Sequence, residues 1–383
     1  MALGLLHQVG HNSSWNVESF QKDLCGNGLI LSPLHQAKAT IEKLDKGTRA
    51  ASIFDPQFYL PNSRKPKLLT YPFFPEQVDG GFQTSTFVSQ VSGVAKSCIE
   101  FQVEQGFRKV VVPTRFLNQM YPDYFEQQNL FTVDAFMEHA GSKPVCLSVA
   151  LTSHMIQHVG WRKRVLNWMT SFPNVDEVYV MYEHERDPKQ IHDGEFLRDW
   201  LVFCSDILKT GLALTVGYTN TEGLLYTVAG DLSITMGAFE NTRIFSVDKF
   251  LESEGERRGP KARIYLAGLL NWVQFEDAKR IRDRAPKVWD QVYEPTPWAE
   301  EALSRVVEPT FNQSPLYKHY FQNMHDHVAE LRPLTSRARR SLLLNKVEAA
   351  LAAYRTLSHL GVELEKHGRS GHLPAWQEVL KSA

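Results

Sequence analysis

Eight short apolar runs recur between residues 29 and 272 of this chain, and each closes on polar or helix-capping residues. Stretches with helical patterning separate most of them. The runs cover residues 29–33, 51–56, 109–113, 145–149, 177–181, 212–216, 232–237 and 263–267. A strand and a helix repeated eight times is the order of a closed (β/α)8 barrel, in which the chemistry lies at the carboxyl ends of the strands. The sequence therefore predicts an α/β fold of the TIM-barrel type.

The chain is longer than a barrel requires, and its pattern changes after the last run. We predict a barrel over residues 1–289 and a helical C-terminal extension over residues 290–383, where strand-like runs disappear and strong helix formers are frequent. The extension either packs on the barrel or mediates assembly with a protein partner or a second copy. Residues 1–28 form an N-terminal cap or an extra strand, because a further apolar run covers 3–9. If that run is the true first strand, the count shifts by one.

Composition and charge exclude several classes of protein. The net charge of −1 gives no global electrostatic reason to bind nucleic acid or a membrane. No stretch approaches 18 consecutive apolar residues, and the N-terminus lacks the basic segment of a signal peptide. No two cysteines form a CxxC pair, which argues against a sulfur-rich zinc site and a disulfide framework. We therefore expect a soluble, cytoplasmic protein without a membrane partner.

Several well-known cofactor motifs are missing. The sequence has no GxGxxG after a strand, no phosphate-binding P-loop and no GxSxG elbow, which lowers the odds of a dinucleotide enzyme, an NTPase and a serine hydrolase. His154 and His158 are four residues apart, a spacing that can chelate a metal on one helix face. No acidic ligand lies near them in sequence, so ordinary histidines are the favoured interpretation. We predict neither a metal nor a cofactor.

Acidic side chains at separate strand ends are the candidates for catalysis. Asp55, Glu183 and Glu240 follow three different runs, and paired carboxylates can serve as an acid and a base when their pKa values differ. Glu183 ends a buried strand pattern and is the best single candidate. Asp55 precedes a proline, so a helix-capping or turn role is equally compatible with its position.

Polar residues and one long loop supply candidates for substrate binding. The connection 57–87 is rich in proline and would lie over the barrel mouth, because it follows a strand. Its glycine pair, Gly80 and Gly81, allows close approach of a ligand or forms a plain turn. Other polar residues at predicted strand ends include Arg115, Tyr218, Asn220, Glu222, Arg243 and Asn271. Gln57, Arg115, Tyr218, Asn220 and Asn271 are predicted to bind substrate.

Basic clusters raise the question of nucleic-acid binding. Arg337, Arg339 and Arg340 lie close together with few compensating acids, and phosphate contacts need Lys and Arg on one surface. Similar stretches cover residues 161–164 and 279–284. A solvated helix face explains all three stretches better, since the net charge is near zero.

The order of two motifs resembles a known family. Residues 54–61 read Phe-Asp-Pro-Gln-Phe-Tyr-Leu-Pro, and residues 79–83 read Asp-Gly-Gly-Phe-Gln. This resembles the front part of the tRNA-guanine transglycosylase family, in which an aromatic-Leu-Pro segment precedes Asp-Ser-Gly-Gly-Phe-Gln. Residues 230–243 are similar in placement to that family's second aspartate strand. Val78 stands where the family has aspartate, and the family's cysteine zinc site has no counterpart here.

The resemblance implies a barrel that exchanges or binds a nucleobase in tRNA or DNA. Asp55, Asp79 and Glu183 would then supply the acid, base or nucleophile. Gly80, Gly81, Gln83, Tyr218 and Asn220 would shape the base pocket. Two alternatives stay open, namely a barrel that has lost catalysis and serves as a binding or assembly module, and a small-molecule hydrolase. The missing nucleophile and zinc site favour the former.

Overall fold

The barrel is built from eight parallel strands. The computed structural model describes residues 2–75, 82–184, 187, 189–252, 261–310 and 313–382. The strands are Gly4–Gln8 (β1), Leu29–Leu31 (β2), Ile53–Phe54 (β3), Val110–Val112 (β4), Val145–Thr152 (β5), Val175–Glu183 (β6), Ala213–Val216 (β7) and Ser233–Met236 (β8). Their order in the sheet is β3-β2-β1-β8-β7-β6-β5-β4. The Arg108 N–H donates to the Ser52 carbonyl at 3.1 Å across the remaining seam. The predicted TIM-type barrel is confirmed.

The strands form where apolar residues follow each other without alternation. All but the last residue of β5 are buried, and β6 keeps a buried run from Glu177 to Tyr182. Strands of a parallel barrel are covered on both faces, so they need apolar residues on both. This explains why the strands could be recognised in the sequence as apolar runs.

Helices follow the first seven strands on the outside of the barrel. They are Ser14–Gln21 (α1), Lys38–Glu42 (α2), Lys46–Ala50 (α3), Thr84–Glu104 (α4), Tyr124–Gln128 (α5), Asp134–Ala140 (α6), Ser153–Gln157 (α7), Val159–Met169 (α8), Gly194–Lys209 (α9) and Gly223–Tyr226 (α10). Side-chain caps fix several starts; the Asp193 carboxylate accepts the Phe196 N–H at 2.9 Å and begins α9. The described part of the loop after β8 contains two short 3-10 turns, Glu240–Thr242 and Val247–Phe250.

The strand count is shifted by one from the predicted count. Residues 3–9 contain the true first strand, because β1 lies between β2 and β8. The predicted eighth run is not a barrel strand; it forms Arg263–Leu266 (β9), which pairs antiparallel with Asn271–Gln274 (β10). An apolar run indicates burial but not its pairing partner, so the sequence could not separate these two cases.

The remainder of the chain is helical. Its helices are Phe275–Arg284 (α11), Pro286–Val292 (α12), Pro297–Ser304 (α13), Ser314–Leu331 (α14), Ser336–His359 (α15) and Leu373–Ser382 (α16). The hairpin β9–β10 and α11–α13 enclose a second, smaller apolar core. Apolar residues of α14, α15 and α16 join the main core of the barrel. The C-terminal helices therefore pack on the barrel with much of their apolar surface.

The described residues include no helix that is both long and apolar enough to cross a membrane. All four cysteines are buried, and none of them forms a disulfide. Burial raises the pKa of each thiol, which keeps the thiols protonated at neutral pH. These cysteines therefore act as small core residues.

Candidate active site

Asp55 lies in the barrel mouth, directly after β3, and its side chain is completely buried. One carboxylate oxygen, Oδ1, accepts the Gln57 N–H at 3.0 Å and the Tyr59 hydroxyl at 2.9 Å. The other, Oδ2, has no hydrogen-bond partner. Burial raises the pKa of Asp55 to about 6, against the opposing effect of these hydrogen bonds and of the Lys249 charge. Asp55 can therefore hold or release a proton near neutral pH.

A network of polar side chains surrounds this carboxyl group. The Gln57 amide donates to the Tyr218 hydroxyl at 3.1 Å and accepts the Leu34 N–H at 3.2 Å. The Tyr179 hydroxyl donates to Gln8 at 2.9 Å, at the end of β1. Burial raises the pKa values of Tyr59, Tyr179 and Tyr218, so these phenols stay protonated and can donate hydrogen bonds.

Two residues of this network have unusual backbone conformations. Gln57 has φ 57° and Tyr218 has φ 55°, the left-handed region that residues with a Cβ seldom adopt. Such strain costs about 1–3 kcal/mol per residue and is concentrated at functional sites. Both conformations aim their side chains at one hydrogen bond in the mouth. The geometry thus brings together three residues that the sequence predicted separately: Asp55, Gln57 and Tyr218.

The segment after β8 closes the mouth over Asp55. Phe245 packs on Tyr59 and Tyr218 at ring distances of 5.3 Å and 5.4 Å. The Ser63 hydroxyl donates to the Phe250 carbonyl at 2.6 Å and ties the segment to the loop after β3. Lys249 places its ammonium group 3.4 Å from the centre of the Tyr218 ring. Together with the complete burial of Asp55, these contacts make residues 244–250 a cover over the mouth.

A second feature of the mouth is a cavity of about 210 Å³ beside the cover. It lies among the loops after β6, β7 and β8, the hairpin β9–β10, and α14. Its lining residues are Lys189, Gln190, Asn220, Phe239, Glu240, Arg243, Lys261, Arg263, Asn271, Trp272, Tyr317 and His367. Four of the lining side chains are Lys or Arg, and one is a carboxylate. The cavity is therefore cationic with an aromatic wall.

Glu222 lies behind this cavity, in the loop after β7. Its Oε1 accepts the Asn220 N–H at 2.8 Å, and its Oε2 is buried without a hydrogen-bond partner. Burial raises the pKa of Glu222 to about 7. It is a second buried carboxyl group that titrates near neutral pH, and the sequence had indicated only that it follows a strand.

Glu183 has a different environment from Asp55. It is half-buried at the end of β6, where it forms a bridge with Phe245, and its Oε1 accepts the Val247 N–H at 3.0 Å. The observed partner of this carboxylate is therefore the backbone of the cover. Its predicted catalytic role stays a prediction.

We expect Glu183→Ala to lower the free energy of unfolding by about 1 kcal/mol, because the Val247 N–H loses its acceptor. Glu183→Gln keeps an oxygen acceptor, so we expect a smaller loss. Urea unfolding of both variants measures the difference. Equal losses would show that the hydrogen bond to the cover contributes nothing to stability.

The predicted glycine motif is only partly visible. Asp79, Gly80 and Gly81 lie outside the described residues. Gln83 is exposed and immediately precedes α4. Arg115, after β4, donates to the Thr84 hydroxyl at 3.2 Å and covers the Phe82 ring at 5.0 Å. Arg115 and Gln83 are thus neighbours at the start of α4.

Asn271 does not end a barrel strand, since β10 belongs to the hairpin. Its amide donates to the carbonyls of His367 and Arg369 at 3.1 Å each and accepts from Gln190 at 3.3 Å. It therefore connects the hairpin to the segment before α16. It lines the cavity together with Asn220, whose amide donates to the Lys189 carbonyl at 2.9 Å.

The three clustered arginines do not share one surface. Arg337 is exposed, but Arg339 is buried and makes an ion pair of 2.6 Å with Asp231. The Arg339–Asp231 ion pair lies near the amino-terminal end of the barrel, since Asp231 precedes β8. Arg340 is half-buried. A buried guanidinium already bonded to protein is unsuited to a phosphate contact, which argues against that predicted role for Arg339.

A wide groove of about 920 Å³ lies beside these arginines, lined by Lys209, Asp231 and Arg332 among others. Barrel enzymes carry out their chemistry at the opposite end, so we regard the smaller cavity in the mouth as the better candidate.

Among the described residues, no group of three or more His, Cys, Asp or Glu side chains is arranged to hold a metal ion. His158 instead caps α8, accepting the Trp161 N–H at 3.2 Å.

Sequence reasoning missed Tyr59, Tyr179 and Lys249. Tyr59 lies in the same segment as Asp55, so its spacing was a usable signal. Tyr179 sits inside a strand and Lys249 follows a long loop, and neither position is marked by a pattern.

No protein-family model matches the chain, and no curated protein matches it significantly.

Proposed function

We propose that this protein is a barrel enzyme that acts on a nucleobase or an N-glycosidic bond, with Asp55 as its acid or base. The observation that carries the proposal is the buried Asp55 carboxyl in the barrel mouth, with a pKa of about 6 and one free oxygen. A carboxyl group whose pKa lies close to the working pH is efficient in both directions of proton transfer. Base exchange in a nucleic acid is the reaction that the family resemblance implies.

The surroundings of Asp55 suit a planar, hydrogen-bonding substrate. Once the cover is displaced, Tyr59 and Tyr218 lose their contacts with Phe245 and offer aromatic rings, and the Gln57 amide lies beside Tyr218. Proteins that bind an extruded nucleobase stack it on aromatic rings and read its edge with amide and hydroxyl groups. Displacing the cover would open this pocket and expose Oδ2 of Asp55 to the substrate.

The test is a base-exchange assay with labelled guanine and either tRNA or DNA as the acceptor. We expect Asp55→Asn to lower incorporation at least 100-fold, because the amide cannot exchange a proton. Asp134→Asn is the matched control, since Asp134 is exposed on α6. Circular dichroism verifies that both variants fold. Equal incorporation in Asp55→Asn and wild type, or no incorporation by the wild type into either acceptor, would refute the proposal.

A second function, binding without catalysis, is favoured by the closed cover over Asp55. In that case the wild type would bind nucleic acid in a salt-dependent manner and show no exchange.

Assembly through the C-terminal helices has less support, because α14–α16 contribute apolar residues to the barrel core. A cytoplasmic location is compatible with the unpaired cysteines and remains part of the proposal.

A further inference from the structure

Arg243 is the unusual residue of the cavity beside the cover. Its Nε and Nη1 atoms are buried and have no hydrogen-bond partner, and among the described residues it makes no ion pair. The guanidinium group lies on the Trp272 ring, 4.2 Å from the ring centre, and 5.6 Å from that of Tyr320. A buried guanidinium that makes no ion pair is unfavourable, and a bound anion would offset that cost.

The other cations around the cavity are already engaged. Lys189 pairs with Glu240, Arg263 with Glu365, and Lys261 with Glu276. Glu240 and Glu222 both act on Arg243 electrostatically. Glu240 is already paired with Lys189, and burial raises the pKa of Glu222 to about 7, so each is a weak counter-charge to Arg243 at neutral pH. Arg243 therefore retains donors for a ligand.

Three further side chains of the lining carry buried polar atoms without hydrogen-bond partners. They are the Trp272 Nε1 donor and the Gln190 Oε1 and Asn220 Oδ1 acceptors. Buried polar groups in folded proteins are nearly always hydrogen-bonded, so a cluster of unsatisfied ones indicates a missing molecule. Phe239 and Tyr317, whose ring centres are 5.2 Å apart, supply an aromatic wall.

We propose that this cavity is a binding site for the phosphate group of a nucleotide, held by the guanidinium fork of Arg243. The five N–H donors of arginine match the oxygens of a phosphate in a bidentate manner, which the point charge of a lysine cannot do. The loop after β8 supplies Arg243, and Trp272 beside it offers its Nε1 donor. The loops after strands seven and eight often bind phosphate in barrels of this type. The volume is below the roughly 300–1,000 Å³ of pockets for drug-sized ligands, which suits a phosphate with part of its nucleoside.

The phosphate belongs either to a free nucleotide or to a nucleic-acid strand. The site stands whether or not Asp55 catalyses base exchange, because it depends on other residues. If both proposals hold, the phosphate site anchors the substrate next to the reacting base. Binding of phosphate without any base exchange would refute the proposed function alone.

The test is calorimetric titration of the full chain with inorganic phosphate, adenosine, adenosine 5′-monophosphate and a short single-stranded DNA, in a buffer without phosphate. We expect phosphate and the nucleotide to bind in competition, and adenosine to bind much more weakly. Arg243→Lys should weaken nucleotide binding about tenfold or more, because it keeps the charge and loses the fork. Arg198→Lys, on the exposed face of α9, is the matched control and should bind as the wild type does.

A second variant changes affinity in the opposite direction. Glu240→Gln removes the carboxylate of the lining and should strengthen phosphate binding a few-fold. The Glu240 side chain is partly exposed, so we expect the variant to fold. DNA that competes with inorganic phosphate identifies the strand as the source, and DNA that does not compete identifies the free nucleotide. Absence of phosphate binding to the wild type, or equal binding by wild type and Arg243→Lys, would overturn the proposal.

Discussion

Arg339→Ala is expected to lower the free energy of unfolding by roughly 3–5 kcal/mol, the range for removing one partner of a buried charged network. All of its donors are used within the protein. Nε donates to the Leu331 carbonyl, Nη1 to those of Thr227 and Gly230, and Nη2 to Asp231 and the Arg332 carbonyl. These bonds join the start of α15 to the residues before β8. Losing them leaves carbonyl groups without donors where the helix meets the barrel.

Urea unfolding at pH 7 measures this loss. Arg339→Lys should fall between wild type and Arg339→Ala, since an ammonium group cannot replace the five donors of the fork. Arg337→Ala is the control, because Arg337 is exposed on the same helix, and its effect should stay within about 0.5 kcal/mol. A loss of unfolding free energy below 1 kcal/mol for Arg339→Ala would contradict a structural role and would favour a phosphate contact for Arg339.

Acidification from pH 7 to pH 5 is expected to destabilise the fold by roughly 6 kcal/mol. Five histidines cause this effect. Burial lowers the pKa of His7 and His319 to about 4, and that of His35, His327 and His372 to about 3. In the unfolded chain the pKa of histidine is about 6.5, so the unfolded state binds more protons below that pH. The stability from these groups is therefore complete above pH 6.5 and is lost as pH falls toward 4.

Two carboxyl groups oppose this trend. The pKa values of Asp55 and Glu222 are raised to about 6 and about 7, so the folded state binds the extra protons there. Their contribution is present at low pH and is lost as pH rises through these values. Each carboxyl group recovers roughly 1–2 kcal/mol between pH 7 and 5, while each histidine costs about 2 kcal/mol. The histidines are more numerous, so the net effect is a loss.

Urea unfolding at pH 7, 6 and 5, at constant ionic strength, tests this prediction. His327→Leu should reduce the loss by about 2 kcal/mol, because it removes one of the five titrating histidines. His359→Gln is the control, since His359 is exposed at the end of α15 and should leave the pH dependence unchanged. Equal or greater stability at pH 5 than at pH 7 would refute the prediction.

The candidate site shows how far strand-end reasoning extends. Asp55, Gln57 and Tyr218 were predicted from their positions after runs, and the structure connects them through hydrogen bonds. Glu183 follows a strand equally clearly, yet its carboxylate binds the backbone of the cover. A strand end specifies that a side chain lies near the mouth. It does not specify whether that side chain meets solvent, ligand or another loop.

The sequence by itself determined the barrel, because strands buried on both faces must be apolar and that requirement is local. Only the tertiary structure decided that 3–9 is the first strand and 263–267 a hairpin strand, since both runs are largely apolar and differ in their partners. It alone also placed Lys249 at Tyr218 and Arg243 on Trp272. These contacts join residues from loops distant in sequence, so they depend on how the whole chain closes over the mouth.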